Sequence, residues 1–435
     1  MPYFQNASNI NIYGCTLNDF QENPATLARM NEYLDDEERQ KVMSWISRMD
    51  FYAKQVDVAR RREPGTCEWI LNDAIFQSWE SDSKGALWCR GIPGAGKTIA
   101  ASLIVDHLCA FQLRQPLGTV GVAWVYYNYK DQSAQTPEAI YLGLIRQLAA
   151  FSIELYGLLE SVIKKVYIVV DALDECASES RDNILDLLSR FQGCGANVLI
   201  TSRDNVQESI DDSDLVNLRR MNIHGSTEDI TTYVNARLEN RLARIVRTRP
   251  SLKEEIVQKI VGLCNGMFLV ATFHIESLRK AHNAGEVLES LKVLPKTIFG
   301  IYDDAMERIE SHSDHARLAL QILSFLTHAR RPLSITELQH FLAVKPGHKE
   351  FHDEYVTDKD ILVSICEGLI VIDDGTRIVR LVHLTAQEYF DRIRTSKFTE
   401  GDRDMGHACL IYLSFDVFRN PIHAPPQHYA LLDYI

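Results

Sequence analysis

The sequence predicts an α/β fold with a parallel, doubly wound sheet around a phosphate-binding loop, followed by an α-helical domain and a winged helix. Three observations predict it. Residues 91–98 read Gly-Ile-Pro-Gly-Ala-Gly-Lys-Thr, set between a short apolar run and a helix-forming stretch. Apolar runs alternate with helical spacing up to about residue 221, the pattern of βαβ units. After residue 222 the spacing turns helical, and an Asp-Gly later separates two alternating apolar runs, which signals a hairpin.

The elements follow in order. Ala86 to Cys89 is an apolar run of the kind a buried parallel strand needs. The loop then passes from Gly91 through Pro93, Gly94, Ala95 and Gly96 to Lys97 and Thr98, a full match to G-x-x-x-x-G-K-[ST]. Its glycines let the backbone curl until N–H groups point inward at phosphate oxygens. Lys97 supplies a charge for the β- and γ-phosphates and Thr98 a hydroxyl for Mg²⁺. A helix from Ile99 to Phe111 follows, and its N-terminus also favours an anion. Strand, glycine-rich loop and helix in this order confirm the phosphate-binding loop.

Val122 to Tyr127 is a further strand candidate, and Pro137 to Ala150 a helix with Pro in its first turn. Val166 to Val170 is a β-branched and aromatic run that ends in Asp171. An Asp in that place holds Mg²⁺, usually through water. Of the next two acids, Asp174 and Glu175, either can orient the attacking water, and the residues do not decide between them. The plainer alternative is that Asp171 caps a turn and the other two are solvated. Asn197 to Thr201 is another buried strand, followed by Ser202 and Arg203. A cation there lies beside the nucleotide crevice of a parallel sheet, unless it is an ordinary surface arginine. Leu215 to Leu218 is read as the last strand.

Helices are expected over Thr227 to Leu242, Leu252 to Cys264, Met267 to Ala281, Asp303 to Leu326 and Ile335 to Val344, the last capped by Ser334. Ile370 to Asp373 and Ile378 to Val382 flank the Asp-Gly-Thr-Arg turn, and helices with a hairpin make a winged helix. His383 follows the hairpin; a lone His after a strand is more often a satisfied core residue than a ligand-binding one. The boundaries drawn are a leader and helix over 1–49, the NTPase over 50–221, a helical domain over 222–298, the winged helix over 299–400, and the start of a helical or repeat region over 401–435.

Composition narrows the function classes. A chain of 435 residues accommodates two to four domains. No apolar run reaches 18 residues, and MPYFQNASN lacks a basic-then-apolar signal region, so a cytoplasmic protein without a membrane span is expected. Nine cysteines with no C-x-x-C read as reduced thiols and no zinc site. A net charge of −13 argues against nonspecific nucleic-acid binding. Arg60 to Arg62 and the series Arg241, Arg244, Arg247, Arg249 are read as solvated helix faces. Neither G-x-S-x-G nor H-E-x-x-H occurs, so lipase and zinc-protease chemistry have no support. Residues 5–19 are polar, Asn-rich and β-prone, and read as a disordered or loosely paired leader.

Several blocks together resemble the NACHT domain of STAND-class signalling NTPases, and more narrowly the nephrocystin-3-like N-terminal NTPase domain of fungal NOD-like receptors. They are GTCEWIL (65–71), LWCRGIPGAGKT (87–98), VYIVVDALDEC (166–176), NVLITSR (197–203) and GMFLVATF (266–273). Residues 322–344 and 379–390 resemble the winged helix that follows such domains and is also catalogued with GPI inositol-deacylases. The resemblance implies an ATP/ADP- and Mg²⁺-binding switch, slow in hydrolysis and self-associating on activation, with ATP preferred over GTP. It gives Arg203 the role of γ-phosphate sensor and His383 that of a contact to the β-phosphate of ADP in the closed form. The chain departs from relatives at Phe268, where they carry Pro, and at Leu384, where they carry Asp after the His. Residues 151–165 are shorter than in the family. The chain ends where relatives begin ankyrin or other repeats, and no 33-residue repeat is found, so a sensor array is expected to be absent or trimmed away. The alternatives are a nucleotide-retaining protein-interaction scaffold and a winged-helix DNA-binding regulator. Against the latter, Ile335 to Val344 has no Lys or Arg. The sensed ligand and any protein partner are not legible.

Overall fold

Five parallel strands form the centre of the computed structural model: β1 (Ala86–Arg90), β2 (Val120–Tyr126), β3 (Lys165–Asp171), β4 (Ala196–Ser202) and β5 (Leu218–Asn222). Their order across the sheet is β2-β3-β4-β1-β5. The structure describes residues 11–12, 15–16, 46–47, 49, 51–116, 119–129, 132, 134–153, 164–238, 242–279, 281–311, 315–373, 377–419 and 429–435. The hairpin turn at 374–376, Arg241, and most of the leader and of the short 151–165 segment lie outside them.

Both faces of the sheet are covered. Ala86, Trp88, Ile168, Val170, Val198 and Ile200 enter one apolar cluster, whereas Leu87, Cys89, Tyr167, Val169 and Leu199 enter another. Alternate residues of each strand thus feed opposite cores, which is why the runs read as continuous apolar stretches. Helices α1 (Tyr52–Arg61), α2 (Lys97–Arg114), α3 (Pro137–Ile153) and α4 (Ser178–Gly193) accompany the sheet. The last strand lies three residues later than expected. Leu215 only closes a core cluster, and β5 is an edge strand whose Arg219 and Arg220 break the apolar pattern.

The longer helices beyond the sheet are α5 (Thr227–Leu238), α6 (Pro250–Cys264), α7 (Phe268–Leu278), α8 (Ala284–Lys292), α9 (Ile298–Ser311), α10 (Ala316–His328), α11 (Ile335–Ala343), α12 (Lys359–Ile365), α13 (Leu384–Lys397) and α14 (Gly401–Leu413). The single helix expected over Asp303 to Leu326 is two, α9 and α10, and of the one expected over Thr227 to Leu242 the described part is Thr227–Leu238. Ser334 caps α11 in a reciprocal capping box with Glu337. Strands β6 (Leu333–Ser334), β7 (Ile370–Ile372) and β8 (Ile378–Leu381) form an antiparallel sheet in the order β6-β8-β7, the wing. One apolar cluster runs through these helices and the wing, from Ile230 to Leu431. Among the described residues no helix is long and apolar enough to cross a membrane, and eight cysteines are free thiols.

Candidate functional site

The glycine-rich loop joins β1 to α2 at the C-terminal edge of the sheet. Gly91 passes so close to the chain after β5 that a Cβ there would sit 2.2 Å from the Ile223 carbonyl oxygen. Gly94 and Gly96 have φ of +74° and +94°, and a Cβ on Gly94 would meet that of Leu269 at 2.7 Å. The loop is thus a shape that side chains cannot follow. Gly96 caps α2 without a side-chain hydrogen bond, which leaves the first N–H groups of the helix for an anion. Lys97 Nζ donates to the Gly91 and Ile92 carbonyls at 2.8 and 3.0 Å. Burial pulls its pKa down, while Asp174 and Asp171 pull it up.

The acids stand on the neighbouring strand ends. With β4 between β1 and β3, Thr201 reaches Asp171: its hydroxyl donates to Oδ1 at 2.5 Å and accepts from the Ala172 N–H at 3.0 Å. Thr98 also hydrogen-bonds Asp171, a carboxyl that burial pushes above its ordinary pKa. Ala172 is left-handed, φ 59°, and turns the chain so that Asp174 and Glu175 face the same space. Asp174, 4% exposed at its side chain, accepts from the Arg203 N–H at 3.1 Å and pairs with Arg203 Nε at 3.2 Å. Glu175 accepts from the Tyr129 N–H at 3.2 Å. Burial first, and Asp174 second, push its carboxyl up to about 8.

The winged helix closes the site from the other side. His383 caps α13, its Nδ1 accepting from the Thr385 N–H at 3.1 Å. The neutral ring therefore carries its proton on Nε2. Burial, then Arg203, Lys97 and Arg380, hold its pKa down to about 3. Glu388, one turn further along α13, takes Arg203 Nη1 at 2.5 Å.

A cavity of about 460 Å³ lies among these groups, within the range of small-ligand sites. Gly94, Gly96, Lys97, Thr98, Asp171, Asp174, Glu175, Arg203 and His383 all line it. Gly91, Pro93 and Ala95 do not; they shape the loop behind it, with Ala95 buried. Phe268 lines the cavity and also packs on Gly96 and Gly225. Sequence reading missed Tyr233, whose ring meets Phe268 edge-on at 5.8 Å, and Arg237, which lies over Tyr233 at 5.3 Å. Their spacing of one helical turn in α5 was the available signal. Arg61 and Arg62, read as a solvated face, also line the cavity, because α1 lies across α2: Arg61 bonds Asp57 at 2.7 Å and Arg62 bonds Asp106 at 3.0 Å. Glycine cradle, uncapped helix end, Lys97, and Asp171 beside Thr98 fit a nucleoside phosphate with Mg²⁺.

Fold and site together have the form of a P-loop nucleotide-binding domain followed by a winged helix. Residues 65–164 and 155–203 match the family model described as Nephrocystin 3, N-terminal, and residues 306–399 match GPI inositol-deacylase, winged helix domain. The first match falls into two pieces that meet in the stretch read as short. Vegetative incompatibility protein HET-E-1 of Podospora anserina is 25% identical over 370 residues, 74% of this chain and 25% of that protein. The chain thus spans about a quarter of that relative's length. Among solved structures, "Structure of Drosophila ORC bound to DNA" is 14% identical with a TM-score of 0.35, covering 78% of this chain and 90% of that one. "Structure of the Aeropyrum Pernix ORC2 protein (ADPNP-ADP complexes)" is 14% identical with a TM-score of 0.34, covering 83% and 95%.

Proposed function

We propose that the chain is a nucleotide-operated switch, in which ATP with Mg²⁺ and ADP bind between the NTPase part and the winged helix. One observation carries the reading: Lys97, Thr98 and Asp171 share a single cavity with His383 of the winged helix. A ligand in that cavity touches both parts and so can bias how they sit together. Lys97 leaves the loop carbonyls for phosphate oxygens. Thr98 and Asp171, hydrogen-bonded to each other, would hold Mg²⁺, which would offset phosphate charge. Glu175 takes the proton of the attacking water, and Asp174 positions Arg203 toward a terminal phosphate. The Nε2–H of His383 donates to a phosphate of ADP and holds the winged helix closed. Hydrolysis is slow and resets the switch; the open form self-associates. Throwing it from about 1:99 to 99:1 requires about 5.5 kcal/mol of differential binding. An incompatibility-type signalling output is the extension suggested by the name of the Podospora relative.

Lys97→Ala tests the binding step. The wild-type chain should yield adenine nucleotide on denaturation and bind ADP and ATP–Mg²⁺ by isothermal titration. The variant should keep its circular dichroism and lose both, because the substitution deletes a phosphate charge on the loop surface and no core contact. Equal affinities, or tighter binding of GTP than ATP, would overturn the assignment.

A further inference from the structure

Arg203 is held at two ends by two different parts of the chain. Its base is fixed by Asp174, which takes both the backbone N–H and Nε. That carboxylate is buried and belongs to the same strand-end cluster as Arg203 itself. The fork of the guanidinium is taken by Glu388 through Nη1 at 2.5 Å, across 185 residues of sequence. Glu388 is 42% exposed at its side chain, Arg203 16%. The anchored end is thus dry and the fork end is half in water, so the fork is the end that can exchange partners. Beside Glu388, Gln387 accepts from the hydroxyl of Tyr129 at 3.5 Å. Tyr129 is the residue whose N–H holds Glu175. Successive residues of α13 therefore touch the partners of both acids.

We infer that Glu388 is a specificity residue that discriminates nucleoside triphosphate from diphosphate by occupying the fork of Arg203. A terminal phosphate that draws on Arg203 has to take Nη1 from Glu388, and it brings its own negative charge toward that carboxylate. A diphosphate makes neither demand. With the winged helix in this position the site favours ADP, and binding of a triphosphate releases α13. The inference rests on the nucleotide-binding reading above.

The test is isothermal titration of ADP and of a non-hydrolysable ATP analogue, each with Mg²⁺, on the full chain and on Glu388→Gln, Arg203→Gln and the double variant. Glu388→Gln should lower the ratio of the triphosphate to the ADP dissociation constant about tenfold, with the ADP constant little changed. In the Arg203→Gln background the same substitution should leave the ratio where it is, since the two act as one unit. Without ligand, Glu388→Gln should speed amide hydrogen exchange over residues 384–397. Glu388→Asp, which keeps the charge but shortens the reach, should shift the ratio less than Gln. An unchanged ratio in Glu388→Gln, or the same fall with and without Arg203, overturns the inference while leaving nucleotide binding in place. A wild-type chain that bound neither nucleotide would sink the P-loop reading and this inference together.

Discussion

Asp174 and Glu175 are adjacent in sequence and differ in surroundings, which separates their work. Asp174 is committed to Arg203 by two contacts, at 3.1 and 3.2 Å. Glu175 has one backbone donor from Tyr129, and its carboxyl is pushed up to about 8, which makes it the stronger base. Below that pH it holds a proton and cannot accept one. The kcat/KM for ATP hydrolysis should therefore rise with pH and level off above about 8. Glu175→Gln should lower kcat about 10²–10⁴-fold while ATP still binds, and joint removal of both carboxylates should do the same. A double variant hydrolysing ATP at the wild-type rate would place water activation elsewhere. His274 gives a pH effect remote from the site. It is 1% exposed in α7, bonded to the Pro295 backbone, and its Nε2 has no hydrogen-bond partner. Burial lowers its pKa from 6.5 to about 4, so protonation favours the unfolded chain. Its contribution is complete above pH 6.5 and is lost as pH falls toward 4. At pH 5 the loss is about 2 kcal/mol. Urea denaturation at pH 7 and 5 should show a smaller drop for His274→Asn than for wild type; equal drops would refute it. At this scale the positions of Lys97 and Thr98 were legible from the loop motif, and that of Asp171 from the apolar strand it ends. Tyr233 and Glu388 were not, because their partners Phe268 and Arg203 lie far away in sequence and only the fold brings them together.

At the scale of elements, the P-loop depends on a close approach between β1 and the chain leaving β5. Gly91 donates to the Ser202 carbonyl at 3.2 Å, while its missing side chain faces the Ile223 carbonyl. Gly91→Ala puts a methyl against backbone and should cost about 1–3 kcal/mol in chemical denaturation. Gly193→Ala, at the end of α4 with open space around it, is the control and should be neutral or slightly stabilising. Similar stability in the two variants would mean that the strands can part without cost. The same geometry explains which elements were readable. Strands buried on both faces announce themselves as apolar runs, so β1, β3 and β4 fell within a residue or two of expectation. The edge strand β5 buries Met221 but leaves Arg220 and Asn222 exposed, and composition placed it too early. In the second half of the chain, apolar spacing runs on from α9 toward α10 across polar residues 312–314, and so two helices read as one. The antiparallel pairing of β7 with β8, expected from the Asp-Gly between the two runs, and the Ser334 cap rest on local chemistry, and both are found.

At the scale of the whole molecule, the sheet has its own two apolar clusters and the later helices share a third. Much of the contact between the NTPase part and the winged helix is polar. Arg380 of β8 lies 3.7 Å from Asp57 of α1, Lys54 lies 3.9 Å from Asp373, and Arg203 meets Glu388. Of these pairs Arg203–Glu388 is the wettest, with Glu388 42% exposed, and a half-solvated ion pair parts at a lower cost than an apolar contact. His383 is where a ligand can add to this interface. The ring does two things at once: Nδ1 caps α13, and the residue lines the cavity. These can be separated. His383→Ala removes both, whereas His383→Asn restores an oxygen that can cap Thr385, since Asn is a strong helix cap. Both variants lose the imidazole donor. If that donor holds a phosphate of ADP, its loss removes a bond to a charged group worth about 1.5–3 kcal/mol, and ADP should leave about 10–150 times faster. Ala should also lower the melting temperature, and Asn should lower it less. The open form should gain population in both, read as a rise in light-scattering mass on adding ATP. ATP affinity should fall much less, because the open form does not use the contact. An unchanged ADP release rate with unchanged mass would leave His383 a helix cap alone, and would remove the winged helix from the switch.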